Sequence, residues 1–291
     1  MCVVIAKYFE GIGWAGCKNR DRNYTPILDF TETNEDGLSR MMMHDQITGY
    51  KEGINSHGVS ILNASLDVGD DEKEVDTGKA KSSPDGRDIA EALLKDNPLD
   101  AVKVLIRTKL GGNTLVFDRE TCFLIEASDR DGTAPFKFKV KKISKDEGVA
   151  RSNHGIWLPW AGYQRGHSKE ETLDRISSET RLLIAEEVLR RAEDPQDLID
   201  GMCQVYLNDI QLNIMRMNIE NKKMRTTSQE MCVPSEKTLY CRPISSHLEF
   251  DYWHLNRSET GVWVEVLSNR ALYQDVTGEP PFGRLNLKDI G

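Results

Sequence analysis

MCVVIAKYFEGIGWAGCKNRD occupies residues 1–21, and two features of it set the architecture. An apolar, β-branched run, Val3-Val4-Ile5, stands directly after Cys2. A glycine-marked break at Glu10–Gly13 follows, and GIGWAGCKN then resumes a strand pattern. The stretch predicts a β-hairpin. A hairpin turning at residues 10–13 sets position 2 opposite position 20 or its neighbours. Cys2 is thereby brought beside Asn19-Arg20-Asp21. GIGWAG is also a literal G-x-G-x-x-G, but no helix opens after it and Pro26 closes the region. A dinucleotide fingerprint needs that helix, so the glycines are assigned to a tight turn and close strand packing.

Outward from the hairpin, MMMHDQITGYKEGINSHGVSILNASLDV carries two or three strands punctuated by Gly49, Gly53 and Gly58. An acidic, then Ser/Pro/Gly-rich segment at 68–87 reads as a mobile surface loop. GRDIAEALLKD and PLDAVKVLIRTK are short helices, the second with Pro98 in its first turn. TLVF and CFLIEA form another hairpin. FKFKVKKI is a strand whose Lys137, Lys139, Lys141 and Lys142 read as a solvated face. Ser168 and Glu171 make a capping box for a long helix. Its apolar face is expected at Leu173, Ile176, Thr180, Leu183, Ile184 and Val188. Asp194-Pro195 caps a further helix, and four strands follow Arg225. Strands and helices segregated in this order predict one layered α+β domain over 2–291, with helices outside two sheets.

The 291 residues can bury a sizeable core. A net charge of −9 argues against nucleic acid as a partner. No apolar run reaches membrane-spanning length, and no secretion signal is evident, so the expected location is cytoplasmic. The six cysteines form no C-x-x-C and no zinc spacing, which predicts no metal site. Five read as small buried hydrophobes.

Cys2 stands apart because of its position. With Met1 removed, one residue carries a thiol nucleophile and an α-amine base together. The hairpin register lets Asp21 hold that amine and places Arg20 or Lys18 near the thiol or a substrate carboxylate. This chemistry needs no cofactor and no metal.

The pattern resembles the cysteine-type N-terminal-nucleophile (Ntn) hydrolases: choloylglycine hydrolases, penicillin V acylases and isopenicillin N acyltransferase-like proteins. Cys2 and Asn19-Arg20-Asp21 match their starting Cys and Asn-x-Asp segment, with Arg22 where the group carries Glu. EGINSHGVSILNASLD (52–67) is similar to their Gly-x-Asn strand pair, and ARSNHGIWLP (150–159) to a Thr-Asn-His segment with Ser152 in place of Thr. MRTTSQEMCVPSEKTLYCRP (224–243) resembles their late Thr-Thr strand and hairpin. The resemblance implies a four-layer αββα sandwich of two mainly antiparallel sheets. It implies Cys2, Asp21, Asn63, Asn153, Arg20 and Arg225 as the catalytic set, with Asn63 and Asn153 serving the oxyanion. Lys18 stands where bile salt hydrolases carry Arg. Lys18, His154, Trp157 and Trp160 are expected to contact substrate.

The implied partner is a small-molecule amide, cleaved through a thioester, and homo-oligomers occur in the group. The same acyl-enzyme would serve an acyltransferase. A binding or assembly protein that retains Met1, and a redox pair of Cys2 with Cys17, are the readings from other classes.

Overall fold

The computed structural model describes residues 2–22, 24, 26–35, 38–66, 84–128, 135–164, 168–203, 212–216, 225–243, 251–258 and 261–268. Most of the expected loop at 68–87 lies outside them; its last residues open a helix at Pro84.

Two antiparallel sheets carry the described strands. The first runs β10 (Val149–Arg151), β1 (Cys2–Phe9), β2 (Gly13–Arg22), β11 (Arg225–Val233), β12 (Thr238–Pro243), β13 (Asp251–Ser258), β14 (Gly261–Ser268). The second is a meander in chain order: β3 (Leu28–Glu35), β4 (Leu38–Asp45), β5 (Lys51–Asn55), β6 (Ser60–Ala64), β7 (Gly112–Phe117), β8 (Cys122–Ser128), β9 (Lys137–Ile143). Helices α1 (Pro84–Ala92) and α2 (Pro98–Thr108) cover the outer face of the second sheet. Helices α3 (Lys169–Arg191) and α4 (Pro195–Cys203) cover the outer face of the first. The sheets meet through β1 and β2 against β6 and β7, and through β12 against β4 and β5. The result is the four-layer αββα sandwich.

β1 opens on an apolar run, Cys2 to Ala6, because both faces of that stretch are buried. Val3 and Ile5 pack toward α3 and α4, while Cys2, Val4 and Ala6 pack between the sheets. Each fully buried Val or Ile is worth roughly 1.5–3 kcal/mol, so the opening run is itself a large share of the core. The glycines after it serve the turn and the packing. Gly13 has φ +104°, a backbone region that favours glycine. A Cβ on Gly16 would come 2.5 Å from the Phe117 ring of the opposite sheet. Cys2 and Cys17 lie on opposite faces of the first sheet and belong to different cores, so the redox pairing is excluded; none of the six cysteines forms a disulfide.

Two helix expectations have different outcomes. Ser168 caps α3 by accepting from Glu171 N at 3.1 Å, and Asp194 caps α4 by accepting from Asp197 N at 2.9 Å. The apolar face of α3 is displaced from its expected position. Leu173, Ile176 and Leu183 are exposed, whereas Ser177, Ser178, Arg181, Leu182, Ala185 and Leu189 are buried; of the expected face, Val188 is buried and Ile184 packs against the same core. The covered stripe begins polar, so an apolar count misplaces its first half. β3 was not anticipated either. LDFTETNE is rich in residues that strands disfavour, and eight paired positions with β4 make it a strand.

Candidate functional site

Cys2 pairs with Arg20 across the β1–β2 hairpin. On the other side of β2, Arg225 pairs with Arg22 and Thr226 with Asp21. A bulge follows, after which Ser228 faces Arg20 and Glu230 faces Lys18. Alternation then sorts the side chains. Cys2, Lys18, Arg20, Arg22 and Glu230 share the inter-sheet face. Asn19, Asp21 and Thr226 share the face beneath α3 and α4.

On the inter-sheet face Cys2 is buried, and Arg22 Nη1 lies 3.8 Å from its Sγ. Lys18 donates to Glu52 Oε1 at 2.5 Å and sits 4.8 Å from the Tyr50 ring centre. Arg20 donates to Asp45 Oδ2 at 3.2 Å and lies over the same ring. Tyr24 OH donates to Asp45 Oδ2 at 2.6 Å and receives Arg22 Nε at 3.2 Å. Burial is the largest single influence and pushes the Cys2 thiol up, but the charges of Lys18, Arg22 and the N-terminal amine together outweigh it and hold the thiol below its ordinary value. Cys17, Cys122, Cys232 and Cys241 go the other way, their thiols raised chiefly by burial. Glu230 is fully buried, and its Oε2 has no hydrogen-bond partner. Burial and the nearby Glu52 raise its carboxyl to about 7.

On the other face, Asp21 Oδ2 receives Arg181 Nη1 at 2.7 Å and lies 3.8 Å from Arg216 Nε, while Oδ1 receives Thr226 Oγ1 at 2.9 Å. The backbone nitrogen of Cys2 donates to Asn153 Oδ1 at 2.5 Å. Arg181 Nη2 reaches that same oxygen and Ser152 Oγ, each at 3.3 Å. Asn153 Nδ2 donates to Ser65 O at 2.7 Å.

The loop after β10 is held by buried partners. Glu126 accepts the backbone N–H groups of Ile156, Trp157 and Leu158. Asn113 donates to Ser152 O at 2.8 Å. His154 Nδ1 contacts Ser178 Oγ at 2.8 Å. Burial, and then the Arg175 charge, lower its imidazole to about 4, so it is neutral at ordinary pH.

The fold thus gathers Cys2, Lys18, Arg20, Asp21 and Asn153 at one end of β1 and β2, with Arg225 opposite Arg22 at the same end. Trp157 packs against the inter-sheet core that includes Cys2, with Arg151 over its ring, and Trp160 packs on Leu66, Leu158 and Ala161. Asn63 is placed differently. Its Nδ2 donates to Gly111 O at 3.1 Å and Thr114 Oγ1 at 2.7 Å, so an oxyanion role would require it to release one of these bonds. A cavity of about 560 Å³ lies beside β10 and α3, lined in part by Lys7, Arg151, Trp157, Glu186 and Leu189. Cys2 is not among its lining residues. Among the described residues no acidic, histidine or cysteine cluster suits a metal ion, and no helix is long and apolar enough to cross a membrane.

Reading the sequence alone missed Arg22, Glu52, Asp45, Glu230, Arg181 and Arg216. Only Arg22 was findable. Once Cys2 is set opposite Arg20, residues two positions away on the same strand are its diagonal neighbours.

No family profile and no curated protein matches this sequence. Solved structures do match. A C2A mutant of conjugated bile acid hydrolase from Clostridium perfringens aligns at 11% identity, covering 93% of this chain and 97% of that one, with a TM-score of 0.53. Penicillin V acylase from Agrobacterium tumefaciens aligns at 10% identity over 92% and 91%, with a TM-score of 0.49. The first of these establishes a shared fold, that of the Ntn hydrolases.

Proposed function

We propose that the protein is an amidohydrolase that cleaves an amide C–N bond through a thioester on Cys2, once removal of Met1 frees the Cys2 amine. One observation carries the reading. The Cys2 nitrogen is anchored on Asn153 Oδ1 at 2.5 Å, while its thiol, alone among the cysteines with a resolved shift, is drawn toward thiolate.

The Cys2 sulfur attacks the substrate carbonyl, and its proton passes to the α-amine. The tetrahedral oxyanion is met by backbone N–H groups and by the second Nδ2 hydrogen of Asn153, the first being given to Ser65 O, each donor worth about 3 kcal/mol; Asn63 joins them only by releasing Gly111 O or Thr114 Oγ1. The ammonium returns the proton to the leaving nitrogen, the C–N bond breaks and an acyl-thioester remains. Water, deprotonated by the same amine, then releases the acid. Asn153 holds the amine directly, and Asp21 acts on it at one remove, through Arg181. Lys18, Arg20 and Arg225 surround the reacting end of β2, and Trp157 and Trp160 wall the acyl side, while His154, turned to Ser178 of α3, supports that loop from the helix side. Arg22 shares the thiol's electrostatic support with Lys18.

The test combines intact mass, iodoacetamide labelling and turnover of a panel of acyl p-nitroanilides. Loss of Met1, labelling confined to Cys2, and complete loss of turnover in Cys2→Ala with the fold retained are expected. An active Cys2→Ala variant overturns the proposal. So does a retained Met1 with Cys2 no more reactive than the other thiols, and that outcome favours the binding-protein reading.

A further inference from the structure

Asn153 can serve the Cys2 nitrogen in only one of its two amide orientations. With its oxygen toward Cys2, it accepts an N–H and leaves the lone pair of a free amine available to the thiol proton. With its NH2 toward Cys2, it would donate to that lone pair and disable the base. Something must therefore fix the amide.

Arg181 sits where it can do so. Its side chain is fully buried on α3, with Nη1 2.7 Å from Asp21 Oδ2 and Nη2 3.3 Å from Asn153 Oδ1. A guanidinium only donates, so the Asn153 atom it meets must be the oxygen. The opposite end of the amide agrees, since Nδ2 finds a carbonyl at Ser65. The same turn of α3 adds a second hold, because Ser178 Oγ accepts Asn153 N at 3.1 Å. Resting on the function proposed above, we infer that Arg181 is a positioning residue for the N-terminal nucleophile: it joins Asp21 to Asn153 and locks the acceptor that orients the Cys2 amine. A lysine keeps the charge for Asp21 but lacks the planar fork that reaches both partners.

Two reagents separate the amine from the thiol. Iodoacetamide consumes the thiolate alone. 2-Cyanobenzothiazole needs both groups: the thiol adds to the nitrile, the α-amine closes the ring, and ammonia leaves. For folded Arg181→Lys, alkylation of Cys2 should stay within about twofold of the parent. Ring closure should slow by roughly tenfold or more, the cost of a misdirected neighbouring group. Ring closure at the parent rate overturns the inference while leaving the nucleophile reading intact. If the parent itself fails to condense with 2-cyanobenzothiazole, the free-amine reading falls and the inference with it. Should Arg181→Lys not fold, Asn153→Ser carries the test. It removes the oxygen through which Arg181 acts, so the same split between reagents is expected, and parent-like ring closure overturns the inference.

Discussion

The two faces of β2 handle buried charge by different rules. Between the sheets, two cations each have a carboxylate from the opposite sheet: Lys18 has Glu52 and Arg20 has Asp45. Glu230 stands by as a further acid with its carboxyl raised to about 7. Beneath the helices, one carboxylate, Asp21, serves two arginines, Arg181 and Arg216. Desolvation makes both arrangements costly to disturb. The difference lies in redundancy. The inter-sheet face holds a further acid beside its two ion pairs, whereas on the helix-side face a single carboxylate bridges both arginines.

The largest stability effect should therefore come from Asp21→Asn. It removes the carboxylate charge that Arg181 and Arg216 share, and breaking such a buried pair costs about 3–5 kcal/mol. Glu52→Gln should cost less, roughly 1–3 kcal/mol. Removing the Glu52 charge removes one cause of the raised Glu230 carboxyl, so Glu230 ionises at lower pH and takes over Lys18. Urea denaturation of the two variants near neutral pH checks the ordering. Equal losses would show that Glu230 does not substitute.

Much of this contrast was within reach of the sequence, and part of it was not. The hairpin arithmetic set Cys2 opposite position 20 or its neighbours, and the structure pairs it with Arg20. Asn153 was reachable only through the motif resemblance. The partners that give each face its character come from elsewhere in the chain. Glu52 and Asp45 arrive from another sheet, and Arg181 and Arg216 from segments more than a hundred residues away. No local period encodes such pairings. On α3 the local period was misleading, since Ser177, Ser178 and Arg181 turn toward the site and displace the apolar stripe.

A smaller effect should appear with pH on the helix-side face. His154 is held neutral there, its imidazole lowered to about 4 by burial and by Arg175. In the unfolded chain it takes a proton near pH 6.5. The unfolded state thus binds more protons across the window between. The contribution of His154 to stability is fully present above about pH 6.5 and is lost as pH falls toward about 4. In His154→Gln, the slope of stability against pH across that window should flatten. An unchanged slope would mean that His154 is charged in the native state.

The smallest effect tests whether α3 presents its polar side to the site. The apolar count placed Leu183 toward the core, yet it is 65% exposed, while its neighbour Leu182 is 8% exposed. If the helix sits as described, Leu183→Ser removes little buried surface and leaves every contact of Arg181 in place. Its cost should stay within about 0.5 kcal/mol, as for surface substitutions generally. Leu182→Ala, in the core beside Val188 and Leu189, should cost about 2–5 kcal/mol. Thermal melts of the pair decide the matter. A reversal of the two values would rotate α3 by about one residue and carry Arg181 away from Asp21 and Asn153. The lock on the Cys2 amine would go with it.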